Sequence, residues 1–198
     1  MKPDKNQVEA FDEFVHQFKE ETDRAAVILG TSKLDFLLSK LINHFLVPNY
    51  SKNDDLFDGD SPLSTFSAKI NLAFRLGLID AQFAKVLHII RKIRNDFAHE
   101  VYDARLDTGS HRDRIRTLAA LLSTSPLFSE VKELYFSDKS GPSSDFFTVL
   151  TLIAARLDTL LIKVTPLSES KAYSIIPTKH ASIPKETSST KKSTKKIK

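Results

Sequence analysis

Apolar residues recur along this chain at the spacing of a helix and show no convincing strand alternation, which constrains the fold more than any other feature. Leu34, Leu37, Leu38, Leu41, Ile42 and Phe45 follow an i, i+3, i+4, i+7, i+8, i+11 pattern, the apolar stripe of a helix packed on a core. Phe11, Phe14, Val15, Phe18, Ala25, Ile28 and Leu29 precede them in the same rhythm. Gly30 and Thr31 stand between the two runs. Gly costs a helix about 1 kcal/mol relative to Ala, so the pattern predicts either a bend in one long helix here or a break between two. Glu20, Glu21 and Asp23 read as a solvated face. Pro48 ends the second run, with Val47 before it biased to extended geometry.

Residues 48–62 read as a loop, anchored by Leu56 and Phe57. A third helix is expected over 62–76, with Ser61 as N-cap, Pro62 at its first position and Gly77 as its stop. Asp80 is a good N-cap for a fourth helix running to residue 99. A connector covers 100–110, helical pieces follow at 111–123 and 126–136, and a turn spans 137–144. The last helix should bury Phe146, Val149, Leu150, Ile153, Leu157, Leu160 and Val164. With no internal repeat, the fold class is all-α, a bundle of about six helices.

Charge divides the chain in two. Residues 167–198 carry eight Lys and two Glu, net +6, against +4 for the whole, which leaves −2 for residues 1–166. The first part reads as a helical domain. The second, Lys/Ser/Thr-rich and unable to bury a core, reads as a disordered tail. The high isoelectric point thus belongs to the tail and says little about nucleic-acid binding by the domain. The absence of cysteine rules out disulfides and Cys-based zinc sites. No apolar run approaches the ~20 residues of a membrane span, and the N-terminus lacks a signal peptide's apolar core. A cytoplasmic protein is expected, without membrane contact. Asp54, Asp55, Asp58 and Asp60 cluster in the loop without the alternation or terminal Glu of an EF-hand. No glycine-rich phosphate loop occurs. Neither metal nor cofactor is expected.

Chemistry concentrates in Arg94-Asn95-Asp96-Phe97-Ala98-His99. On an ideal helix Arg94 falls among Phe83, Val86, Leu87, Ile90, Ile93 and Phe97, inside the apolar arc, and Arg94 and His99 lie about 140° apart. A buried guanidinium needs acceptors. One reading is ribonuclease-like: His99 moves protons at a ribose 2′-hydroxyl and a leaving oxygen, Arg94 holds the phosphate, and Asn95 orients either group. Such a site requires a distorted helix end, a ligand wrapping across it, or two copies facing one cleft. The other reading is structural: Arg94 pairs with a carboxylate such as Asp35 or Asp96, and His99 caps the helix through the macrodipole. Candidate nucleic-acid contacts are Arg91 and Lys92, together with Arg112, Arg114 and Arg116 in the run that starts at His111, whose bland reading is a solvated helix start. No helix reads as markedly basic on one face, and the net negative domain opposes phosphate-backbone binding.

The stretch RKIRNDFAH, residues 91–99, resembles the active-helix motif of the HEPN superfamily. That resemblance implies a small all-α bundle, commonly dimeric, and a metal-independent RNase with Arg94 and His99 as catalytic pair and Asn95 as supporter; other members are non-catalytic scaffolds. LFDGDSPLSTFSAKINLAFRLGLID at 56–80, with ILGTSKLDFLLSKLI at 28–42, resembles the mannitol operon repressor (MltR) family. With residues 80–99 the similarity spans about 28–100, carried in order by Asp58-Gly59, Pro62-Leu63, Ser67 and Leu76-Gly77. It implies a regulator, a homodimer, and repression of transcription. Because the residues supply no DNA reader, repression through a protein partner is the expectation rather than direct operator reading. RNA stays open as a partner through the HEPN reading.

Overall fold

The computed structural model describes residues 5–49, 56–57, 59–100 and 104–170, with side chains from residue 9 onward. The chain divides into two units at Leu167 and Ser168; of the second, only 168–170 are among the described residues. The basic tail beyond them, and Asp54, Asp55 and Asp58 of the acidic loop, lie outside the description. Seven helices and no strand occur among the described residues: the class is all-α.

The first break falls earlier than the sequence suggests. Helix α1 (Lys5–Lys19) ends in a turn at residues 20–22, and α2 (Asp23–Phe45) starts where Thr22 accepts a hydrogen bond from the Ala25 amide. Gly30 is no break at all, since α2 runs straight through it. Its role is proximity. A Cβ built on Gly30 would lie 2.6 Å from Cδ1 of Leu150, so its lack of a side chain lets α2 and α7 approach closely.

Helix α3 (Phe66–Arg75) is shorter than expected and is capped by Thr65, not Ser61. Ser61 Oγ instead donates to the Leu56 carbonyl, and the Leu63 amide donates to the same oxygen, so Ser61 and Pro62 belong to a turn. Phe57 packs against the core while Leu56 stays exposed. The stop at Gly77 has a clear cause. With φ +72°, its amide donates to Phe74 and the Leu78 amide donates to Ala73, the paired bonds of a Schellman motif. Helix α4 (Ala81–His99) opens on Asp80, which accepts from the Phe83 amide at 2.7 Å.

Helices α5 (Gly109–Leu122) and α6 (Pro126–Phe136) follow. Helix α7 (Gly141–Lys163) begins inside the turn expected at 137–144, because Pro142 is preorganised for a first helical turn. It is the central element, packed on α2, α5 and α6. Phe146, Phe147, Val149, Leu150, Ile153 and Leu157 are buried, with Leu160 and Val164 partly so. Phe18 meets Phe147 edge-on at 5.4 Å between centroids, and Phe136 lies 5.9 Å from Phe147. Helix α4 packs on α2, α3 and α5. No helix among the described residues is long and apolar enough to cross a membrane.

Candidate functional site

Helix α4 buries Ala84, Val86, Leu87, Ile90, Ile93 and Phe97. Arg94 does not join them. It is exposed, and its Nη1 donates to Asn95 Oδ1 at 3.2 Å. The helical projection treats every turn as equally covered. Here the neighbouring helices close over Ile93 and Phe97, and the long Arg94 stem carries its charge out to water. Both carboxylates expected to hold it are occupied. Asp35 accepts from the buried Lys69 at 2.8 Å, which ties α2 to α3. Asp96 pairs with Arg114 of α5.

The helix end is held by a residue distant in sequence. Arg24, in the first turn of α2, donates through Nη1 to the Phe97 carbonyl at 2.8 Å and through Nη2 to the Glu100 carbonyl. These are C-terminal acceptors that a helix leaves unsatisfied. His99 is therefore not what satisfies them: it is the last helical residue, exposed, with no hydrogen-bond partner among the described residues.

The adjacent Asp23 was expected on a solvated face. It accepts instead from the Leu106 amide and from Ser143 Oγ, both at 3.1 Å, joining the connector to the start of α7. Sequence reading missed Asp23 and Arg24 as anchors. The usable local signal was Thr22 as an N-cap, which would have placed both in a first helical turn.

The basic run at 111–116 is also no plain solvated start. His111 is buried edge-on against Phe97, with centroids 4.8 Å apart, and its Nε2 lies 3.3 Å from Glu100 Oε2. Arg114 is committed to Asp96, while Arg112 and Arg116 each lie 3.9 Å from Asp113. The first turns of α5 pack on the end of α4, which turns His111 and Arg114 inward. Of the five candidate nucleic-acid contacts, only Arg91 and Lys92 have no carboxylate partner among the described residues.

Asn95 and His99 stand one turn apart on the same side of α4. His88, further back on that side, sits 3.0 Å from Asn71 of α3. Burial first, then the charges of Arg91 and Lys92, hold the His88 imidazole below its ordinary pKa. Because α4 is regular to His99 and tied there by Arg24, Arg94 and His99 stay about 140° apart around the axis and about 7.5 Å apart along it. Within one chain they face different directions.

The Arg24 contacts give a direct stability prediction. Arg24→Met keeps the stem and removes both charge-assisted bonds, leaving the end of α4 without its donors. A loss of about 2 kcal/mol is expected, measured by urea denaturation.

No family model matches this chain, and no curated protein matches it. Among solved structures, a chain in the X-ray structure of the MtlR–HPr complex from Escherichia coli is similar, with a TM-score of 0.56 and 18% identity. The alignment covers 75% of this chain and 98% of that one. The likeness is one of fold, and it reaches well beyond residues 28–100.

Proposed function

We propose that this chain is an MltR-like regulator, a negative regulator of transcription that acts through protein contacts and is not itself a nuclease. The observation that carries this reading is the end of α4. Arg94 and His99 diverge on a regular helix locked by Arg24, and Asp96 and Phe97 between them serve packing. Two further points support it. The sequence resembles a regulator family, and the similar fold belongs to a structure that joins MtlR to a second protein, HPr. A cytoplasmic setting and a homodimer fit the same reading.

The second reading is a HEPN-type endoribonuclease. What favours it is that Arg94 and His99 both reach solvent, so a two-fold dimer facing these helices would set the Arg of one copy near the His of the other. RNA incubated with the full chain in chelator separates the two readings. The regulator leaves it intact. The nuclease produces fragments ending in 2′,3′-cyclic phosphate, and loses that activity on His99→Ala.

A further inference from the structure

Helices α3 and α4 contain six Lys or Arg residues (Lys69, Arg75, Lys85, Arg91, Lys92 and Arg94) and one carboxylate, Asp96. Lys69 is neutralised by Asp35, and Asp96 by Arg114. Arg75, Lys85, Arg91, Lys92 and Arg94 have no carboxylate within ion-pair reach among the described residues. This surplus stands on a domain that is net −2 over residues 1–166, so it is a local feature and not a diffuse one. It also corrects the expectation that no helix is basic on one face. The apolar face of α4 was clear in its sequence; Lys85 and Lys92 lie exposed on the opposite side, with Arg91 half-buried beside them.

Lys85, His88 and Lys92 follow i, i+3, i+7 spacing, one stripe about 10 Å long. Beside them Arg91 has a buried Nε without a hydrogen-bond partner among the described residues. Across the hairpin, Asn71 meets His88, and one turn further along α3 stand the exposed Phe74 and Arg75. His88 is held below its ordinary pKa first by burial, with lesser contributions from the charges of Arg91 and Lys92.

We infer that the outer face of the α3–α4 hairpin is a docking surface for an acidic protein partner, with Lys85, Arg91 and Lys92 meeting its carboxylates and Phe74 as an apolar anchor. The inference rests on the protein-contact reading above. Charge complementarity chooses the kind of partner. A two-turn cationic stripe matches carboxylates spaced i, i+3 or i+4, i+7 on a helix, and an aromatic residue within a charged rim is how protein interfaces are built. A long polyanion such as RNA would meet the negative charge of the rest of the domain.

The test uses the full chain as wild type and as the double variant Lys85→Glu/Lys92→Glu, both exposed positions, with folding checked by circular dichroism. Two fluorescein-labelled probes are titrated by anisotropy: a helical peptide with Glu at i, i+3, i+7 and one Leu, and an oligothymidylate of equal net charge. The expected result is that charge reversal weakens the peptide by about tenfold or more, while the oligothymidylate changes less than about twofold. The Lys-rich tail is present in both proteins, so its contribution cancels. Peptide affinity unmoved by the double variant, or no peptide binding to wild type, would overturn the inference. So would an equal or larger loss for the oligothymidylate, which would assign the surface to nucleic acid. RNA cleavage in chelator fails the regulator reading separately, whatever the peptide does.

Discussion

Phe97→Ala should destabilise the folded unit by about 3–5 kcal/mol, more than any other change within residues 94–99. Phe97 is wholly buried at the junction of α4 and α5, and its ring is the surface on which the His111 imidazole rests. Removing it opens a cavity and leaves His111 without its apolar wall. His111 also has a buried Nδ1 with no hydrogen-bond partner among the described residues. Domains of this size are stable by about 5–15 kcal/mol, so the variant should show a markedly lower urea midpoint or fail to accumulate. His99→Ala, two residues on and exposed, should stay within about 0.5 kcal/mol of wild type. The contrast assigns the structural weight of the motif to Phe97 and leaves His99 free of it. Equal losses at both positions would reject that assignment.

Gly30→Leu should cost about 3 kcal/mol through overpacking. The first added atom already lies 2.6 Å from Leu150 Cδ1, and Leu150 is buried in the central helix. Gly30→Ala should be close to neutral. Only the distal end of one side chain stands in the way of its methyl, and the helix gains about 1 kcal/mol in propensity. Because the clash is with a single residue, Leu150→Ala in the Gly30→Leu background should recover much of the loss. Denaturant melts of the four proteins close a double-mutant cycle. A Gly30→Leu protein as stable as wild type would mean that α2 and α7 are not held in close contact at this point.

These two residues also show what the sequence could and could not reveal. Periodicity located α4 and its buried face, and local chemistry identified Asp80 as its cap and Gly77 as the preceding stop, because each of those signals acts within a few residues. Gly30 stands out in the sequence as an anomaly that suggests a local bend or break, whereas its reason lies across the bundle in Leu150. Arg94 was misplaced for a related reason. A projection shows which residues share a face, not how far neighbours cover it. The locks at the end of α4 come from Arg24 and Arg114, and Asp23 reaches Leu106 and Ser143. Such long-range pairs leave no periodic trace. The cationic hairpin face was hidden differently: its charges were in view, but only the fold shows that they lack carboxylate partners among the described residues.

The central claim is that residues 94–99 end a structural helix and do not form a nuclease site. It is tested most directly by incubating a labelled RNA in chelator with wild type, Arg94→Ala, His99→Ala, and an equimolar mixture of the two variants after subunit exchange. The account predicts intact RNA in all four, with each variant as stable as wild type. Cleavage by wild type, its loss in both folded variants, and its partial return in the mixture would contradict the account and place the site across a two-fold dimer.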